Sequence, residues 1–281
     1  MFKSRLDIMD CMHTIAVITV VYNNYADLSD FFSSFKKQTS GKFHIFVADL
    51  STKPASYTWP AFCSVMTGPN KGYAYGLNLG LKEAMHDGYR QFVFMNNDTV
   101  VAEDFIESCQ SALEKHPRAL IGGKIYYAKD YEFHKGRYDK ADLGNVLWYA
   151  GGVMDWKNAW SLHRGVDEVD QGQYNRVEET DFVTGCLMVF HENVVKKFGM
   201  IDESYFMYYE DTDWCARIKK RAGKLLYDPS IVIWHKNAQS TGGAGSRLHE
   251  KFLKRNHLIF GLRYAPFRIK LHLLLNFFMK K

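Results

Sequence analysis

Hydrophobic positions along the chain change period in a regular alternation. Thr14 to Val21 is an unbroken apolar, β-branched run of the kind that suits a strand buried on both faces. Beyond the Asn23-Asn24 turn, Leu28, Phe31, Phe32 and Phe35 recur at the spacing of one helix face. Phe43 to Val47 predicts a second strand that ends at Asp49-Leu50-Ser51. After the Pro/Ser loop Thr52 to Pro60, Cys63 to Met66 predicts a short third strand. Gly72 to His86 turns Ala74, Leu77, Leu81, Ala84 and Met85 to one face and stops at Gly88, so it reads as a helix. Gln91 to Met95 is a fourth apolar run and enters Asn96-Asn97-Asp98. The order βαββαβ predicts an α/β fold, with a mostly parallel sheet flanked by helices.

Ligands of such sheets collect beyond the carboxyl ends of the strands. Asn23, Asp49, Asn70 and Asp98 each follow a predicted strand, so they are expected to converge on one crevice. Taken singly, each is also an ordinary turn former.

The second half alternates less cleanly. Glu103 to His116 predicts a helix before Pro117, and Leu120 to Tyr127 a strand. Lys129 to Gln173 is long, aromatic and polar, with a hairpin expected over Val146 to Arg164. Phe182 to Phe190 reads as a strand whose central Gly185 marks a bulge or a close approach to a ligand. A short helix is expected over His191 to Phe198, a longer one from the acidic cluster to Gly223, and strands near Lys224 to Tyr227 and Ile231 to Trp234. The Gly/Ser stretch Ser240 to Ser246 suits a flexible lid or linker, or a plain surface loop.

Composition narrows the class. A chain of 281 residues with 47% hydrophobic content can bury a sizeable core. A net charge of +5 is too mild to argue for nucleic acid as a partner. From Arg247 onward the basic residues are opposed only by Glu250. This C-terminal end, with Leu271, Leu274, Leu275 and other apolar residues among the bases, reads either as an interfacial helix on an anionic membrane surface or as a terminal helix packed on the domain or on a second copy, a homo-oligomer. Cys11, Cys63, Cys109, Cys186 and Cys215 show no CxxC spacing and read as free thiols of a reducing cytosol. Met1 to His13 lacks the apolar stretch of a signal peptide, and Leu271 to Met279 is too short and too interrupted to span a bilayer. A cytoplasmic location, peripheral on the inner face of the membrane in the interfacial reading, is the expectation.

Three segments carry candidate chemistry. Tyr208 to Trp214 packs Glu210, Asp211 and Asp213 beside aromatic residues. Such crowding raises one carboxyl toward the range of a general base, or it decorates the first turn of a solvated helix. Gly68 to Gly80 spreads glycines over a strand-to-helix junction, where they allow a close backbone approach to a diphosphate or a tight helix contact. The order is neither a Walker A loop nor GxGxxG. Asn96-Asn97-Asp98 offers one carboxylate to a hard divalent cation, and His235 is a candidate imidazole ligand or a structural histidine.

In order, Thr19-Val20-Val21-Tyr22-Asn23, Val47-Ala48-Asp49, Asn70-Lys71-Gly72, Asn96-Asn97-Asp98, Gly185, Tyr208 to Trp214 and His235 resemble an inverting glycosyltransferase of family 2. Asn96-Asn97-Asp98-Thr99, Asp181 to Cys186 and Ile201 to Phe206 make the resemblance closest to the rhamnosyltransferase-like branch, which acts in bacterial surface polysaccharide synthesis, including O-antigen. The resemblance implies a GT-A fold, with a Rossmann-like central sheet and a smaller mixed acceptor-side region. Residues 1–246 would form the transferase domain, with 14–100 as its nucleotide-binding half and 101–246 as its acceptor half, and 247–281 a basic helical extension.

The resemblance also implies roles. Val21, Asn23, Asp49, Asn70, Gly72, Asn78 and Asn97 would bind the nucleotide-sugar donor, with Asp49 reading the base. Asp98 and His235 would hold Mg²⁺ or Mn²⁺. Asp211 would be the general base with Glu210 behind it, and Gly185, Tyr209 and Trp214 would face a glycan or polyprenyl-diphosphate-linked acceptor. Asn96 stands where the family motif has a first aspartate, which weakens the implied metal site. Asp213 is expected to pair with Arg217 one turn on. A nucleotidyltransferase making activated sugars, or a nucleotide- or glycan-binding module without turnover, are the rival readings. The first lacks the basic, glycine-rich signature expected after the opening strand.

Overall fold

The computed structural model describes residues 14–236 and 247–279; the Gly/Ser stretch Ser240 to Ser246, read as lid or linker, lies outside the described residues. Its first half follows the predicted alternation: β1 (Ile15–Val21), α1 (Leu28–Lys36), β2 (Phe43–Asp49), β3 (Cys63–Thr67), α2 (Tyr73–His86) and β4 (Gln91–Met95). There follow β5 (Thr99–Val101), α3 (Phe105–Lys115), β6 (Ala119–Tyr127), β7 (Leu147–Tyr149), the hairpin β8 (Gly152–Asp155) and β9 (Trp160–His163), and β10 (Glu178–Glu179). The chain then forms β11 (Leu187–His191), α4 (Glu192–Phe198), α5 (Glu210–Lys220), β12 (Lys224–His235), α6 (Arg247–Tyr264) and α7 (Phe267–Met279).

The main sheet has the order β10-β12-β6-β11-β4-β1-β2-β3, with β5 and β7 paired at its rim. β3, β2, β1 and β4 are mutually parallel, β11 runs against β4 and β6, and β12 runs with β6. This polarity decides where function can sit. The carboxyl ends of β1, β2, β4 and β12 and the amino end of β11 all meet at one edge. Val21, Asp49, Asn96 to Asp98, Gly185, Cys186 and His235 therefore arrive at the same rim from segments far apart in sequence.

Apolar burial holds this frame. Ile15, Val17 and Ile18 of β1 have no exposed surface, and Phe31 and Phe35 of α1 pack ring to ring 5.0 Å apart beneath the sheet. Each such side chain contributes about 1.5–3 kcal/mol on leaving water. On α2, glycines let the helix sink onto β1: a Cβ at Gly76 would lie 2.7 Å from Val20, and one at Gly80 2.6 Å from Ile18. Those two glycines serve helix–sheet packing.

Several boundaries depart from the sequence expectations. The two short strands expected after Gly223 are one strand, β12, with a bulge between Asp228 and Val232 around Pro229. The strand expected from Phe182 starts only at Leu187, and Gly185 lies in the turn before it. α5 starts in the acidic cluster, at Glu210, after Tyr208 and Tyr209 in left-handed backbone at φ 67° and 72°, and ends at Lys220, short of Gly223. The C-terminal helices pack on the domain, one of the two readings of this end, in an apolar cluster apart from the main core: Phe260 is fully buried against Tyr209, and a Cβ at Gly261 would meet Leu273 of α7 at 2.1 Å.

Candidate active site

A cleft of about 830 Å³ opens along the rim of the sheet. Its floor is Asn96, Asn97 and Asp98 after β4, one wall is Gly185 and Cys186 before β11, and the opposite lip is Tyr208 to Thr212 at the start of α5. Phe252 and Leu253 of α6 complete it.

Asp98 and His235 meet on the floor. β12 pairs with β5 so that His235 stands across from Thr99, and its Nε2 lies 3.2 Å from Asp98 Oδ1. The contact is at ion-pair distance, and Asp98 Oδ1 and both imidazole nitrogens are buried without a hydrogen bond. Burial disfavours charge on both side chains, yet Asp98 titrates below and His235 well above its usual range. Cys186 also faces His235, but burial holds that thiol protonated, so the carboxylate is the partner that charges the imidazole. A carboxylate oxygen and an imidazole nitrogen 3.2 Å apart on one floor, neither making a hydrogen bond, fit a divalent cation that would displace the imidazole proton and take water and phosphate oxygens at its other positions. Asn96 is engaged elsewhere: its Oδ1 accepts from the Tyr73 hydroxyl at 2.8 Å, which also reaches Gly185 O at 3.1 Å. Burial raises the Tyr73 hydroxyl well above its ordinary range and keeps it a donor.

Glu210 and Asp211 face the same space from α5. Asp211 Oδ2 accepts from the Gly185 amide at 2.8 Å, and Oδ1 accepts from the Thr212 amide at 2.7 Å and its hydroxyl at 3.2 Å. Glu210 Oε2 is buried with no partner. Burial pushes both carboxyls up, Glu210 to about 8, and the charge of each opposes that of the other. Three donors stabilise the Asp211 anion and none is directed at Glu210 Oε2, so the shared proton belongs on Glu210. Asp211 keeps partial exposure to the cleft while Glu210 is 6% exposed.

The donor-side residues are only partly gathered. Gly72, Asn70 and Asn97 line the cleft; Asn70 Oδ1 accepts the Gly72 amide at 3.1 Å, and Asn97 Nδ2 donates to Val20 O at 3.2 Å. Gly72 has φ 104°, and a Cβ there would fall 2.1 Å from Phe206 O, the same carbonyl that takes the first helical amide of α2 from Tyr73 at 2.8 Å. That amide is thereby spent within the protein. Val21 and Asp49 are buried just behind the rim and Asn23 is exposed beside it, while their neighbours Val20, Tyr22, Asn24 and Leu50 line the cleft. Asp49 is 3% exposed and accepts from the Tyr25 hydroxyl at 2.7 Å and the Ser51 amide at 3.0 Å. The Asn23 amide donates to Ser51 Oγ at 2.8 Å.

Two candidates lie elsewhere. Asn78 is buried on α2, where its amide donates to Ile201 O at 2.8 Å and Glu203 Oε1 at 2.9 Å, tying helix to loop. Trp214 is fully buried between Phe94 and Phe190, with its indole N–H on Gly199 O at 2.9 Å. Asp213 pairs with Arg217 as expected, at 3.6 Å, and more closely with Arg263 of α6, at 3.0 Å. Tyr209 and Gly185 line the cleft.

Tyr73, and Trp148, Trp160 and His163 from the hairpin region, also line the cleft, and none of them stands out as a site residue in the sequence. Trp148 packs edge-on against His235 with ring centroids 4.6 Å apart, and burial lowers His163 to about 4, so it stays neutral. The aromatic density of Lys129 to Gln173 was the available signal.

The sheet order, with its polar rim and the helix start that faces it, is that of a GT-A fold. The chain belongs to the glycosyl transferase family 2, whose model matches residues 16–199. It is 23% identical over 242 residues to the N-acetylglucosaminyl-diphospho-decaprenol L-rhamnosyltransferase of Mycobacterium tuberculosis, covering 81% of this chain and 78% of that protein. It is 21% identical to the low-salt glycan biosynthesis hexosyltransferase Agl10 of Haloferax volcanii over 73% of this chain and 62% of that one, and 23% identical to the dTDP-rhamnosyl transferase RfbF of Shigella flexneri over 61% and 51%. Among solved structures, GalNAc-T7 with UDP, GalNAc and Mn²⁺ superposes with TM-score 0.63 at 15% identity, over 86% of this chain and 48% of that one. The mannosyltransferase PcManGT of Pyrobaculum calidifontis, in complex with GDP-Man and Mn²⁺, gives TM-score 0.54 at 15% identity, over 92% and 68%.

Proposed function

We propose that the protein transfers a sugar from a nucleoside diphosphate donor to an acceptor hydroxyl with inversion. The observation that carries this reading is the Asp211 carboxylate, kept anionic by the Gly185 and Thr212 donors and facing the cleft whose floor holds Asp98 and His235. Asp211 takes the proton of the acceptor hydroxyl as its oxygen bonds to the anomeric carbon. The bond from that carbon to the diphosphate oxygen breaks with its electron pair, and one displacement inverts the centre. Glu210 retains its own proton, which avoids a second negative charge beside the base. Asp98 and His235 are the residues that would hold Mg²⁺ or Mn²⁺. Such a cation supplies charge stabilisation to the departing diphosphate.

The donor side favours a nucleotide against Asp49, Asn23, Asn70 and Asn97, with Val21 backing the rim. By similarity to the rhamnosyltransferases the donor is dTDP-rhamnose, with UDP-hexoses as the second choice. The acceptor is a glycan carried on a polyprenyl diphosphate, as the name of the mycobacterial relative indicates for that protein. Such an acceptor lies at a membrane surface, and α7 offers a stripe of exposed Phe267, Leu271 and Leu275 beside Arg268. No helix among the described residues is long and apolar enough to cross a membrane. This reading sets the protein on the cytoplasmic face of the membrane.

A panel of dTDP-, UDP- and GDP-sugars tests the function through release of nucleoside diphosphate, with and without lipid-linked glycan. Turnover with one nucleotide class supports a transferase. Binding without turnover across the panel would favour a non-catalytic module, and pyrophosphate-linked synthesis of the donor would favour a nucleotidyltransferase.

A further inference from the structure

The turn that delivers the base is held by a residue from the C-terminal helices. Asn256 of α6 is fully buried, and its Nδ2 donates to Met207 O at 2.8 Å and Tyr208 O at 2.9 Å. Both amide hydrogens are thereby used on consecutive carbonyls, and Oδ1 accepts from Arg255 Nη1 at 3.0 Å. The segment it grips is strained: Tyr208 and Tyr209 are successive left-handed residues that carry a Cβ, at φ 67° and 72°. Glu210 and Asp211 follow at once. Two turns further along α6, Arg263 Nη1 and the Tyr264 hydroxyl each reach Asp213 Oδ1 at 3.0 Å. α6 thus holds the chain on both sides of the Glu210-Asp211 pair.

We infer that Asn256 is a positioning residue for Asp211, acting through the carbonyls of Met207 and Tyr208 to fix the left-handed turn that starts α5. The proposal rests on the reading of Asp211 as base. Without those two hydrogen bonds the turn relaxes toward right-handed backbone, and the first residues of α5 swing away from Gly185. A carboxylate displaced by even ~1 Å loses much of its effectiveness as a base. Asn256 touches none of the residues assigned to the donor, so donor binding should change far less than turnover. The C-terminal helices therefore belong to the reaction machinery.

The test compares wild type and Asn256→Ala for turnover of the active sugar nucleotide, affinity for its nucleoside diphosphate by calorimetry, and Tm. The expected result is a fall in kcat of about tenfold or more with the affinity unchanged within about twofold. A structural role alone would lower Tm and leave the kcat of the folded protein intact. The decisive arm adds Tyr208→Gly, because glycine adopts φ near 67° freely. In that background the loss caused by Asn256→Ala should shrink to less than about threefold. An equal loss in both backgrounds overturns the proposal, as does wild-type kcat in Asn256→Ala. If Asn256→Ala does not fold, Asn256→Ser, which keeps one donor, replaces it under the same two criteria. A wild-type protein without turnover on any donor overturns the reading of Asp211 and this proposal with it, whereas a failure of Asn256 alone leaves wild-type turnover in place.

Discussion

The backbone amide of Gly185 donates to Asp211 Oδ2 at 2.8 Å, and a Cβ on Gly185 would lie 3.3 Å from that same oxygen. The turn before β11 and the start of α5 are thus in contact through one hydrogen bond, and a side chain at Gly185 would fit only if Asp211 gave way by a few tenths of an ångström. The bond both fixes the direction of the carboxylate and favours its anion.

Gly185→Ala should accordingly lower kcat by about tenfold to a hundredfold through displacement of the carboxylate. Its Tm should change little, because the Asp211 side chain gives way toward the open cleft. Steady-state kinetics together with differential scanning calorimetry check this. Wild-type kcat in the variant would mean that the Gly185 contact is not needed for the reaction.

Glu210 makes stability depend on pH. Its folded value, about 8, lies above that of an unfolded glutamate, so folding favours the protonated form. The stabilisation is complete below the unfolded value of about 4.3 and is lost as pH rises through about 8. Glu210→Gln removes the titration. Measured from pH 5 to 9, the Tm of wild type should fall relative to that of Glu210→Gln, with the gap flattening above pH 8. Parallel curves would show that Glu210 does not hold the proton.

How far the sequence spoke depended on the range of the interaction. The strands β1, β2 and β4 were legible because each is a continuous apolar run, and their polar ends located Asp49, Asn96 and Asp98. β12 read as two pieces because Asp228-Pro229-Ser230 interrupts its pattern, whereas the structure absorbs them in a bulge. The acidic cluster located the start of α5, but the left-handed backbone at Tyr208 and Tyr209 before it leaves no mark on side-chain periodicity. Trp214 looked like a sugar platform beside the acidic cluster, yet helical rotation turns it into the core against Phe94 and Phe190. Tyr73 and Asn256 could not be read at all, since their partners lie far along the chain.

The metal proposal makes a binding prediction separate from catalysis. Mn²⁺ or Mg²⁺ with a nucleoside diphosphate should raise Tm more than the nucleotide alone, and Asp98→Ala should remove the added increment. His235→Ala should weaken it. The benefit should also decline at lower pH, because the imidazole proton competes with the cation. An unchanged metal increment in Asp98→Ala would rule out this pair as ligands.

α7 carries the membrane prediction. Phe267, Leu271 and Leu275 are 80%, 51% and 53% exposed at helical spacing. The full chain should float with phosphatidylglycerol vesicles, less so in high salt, and Leu271→Glu with Leu275→Glu should abolish flotation without lowering Tm. Equal flotation of variant and wild type would show that α7 is not the contact.

The central claim is that Asp211 removes the acceptor proton, and Asp211→Asn tests it most directly because it keeps the shape of the side chain. With the active donor and acceptor, kcat should fall by about a hundredfold or more, while affinity for the nucleoside diphosphate stays within about twofold. Transfer by Asp211→Asn at a rate near that of the wild type would contradict the account.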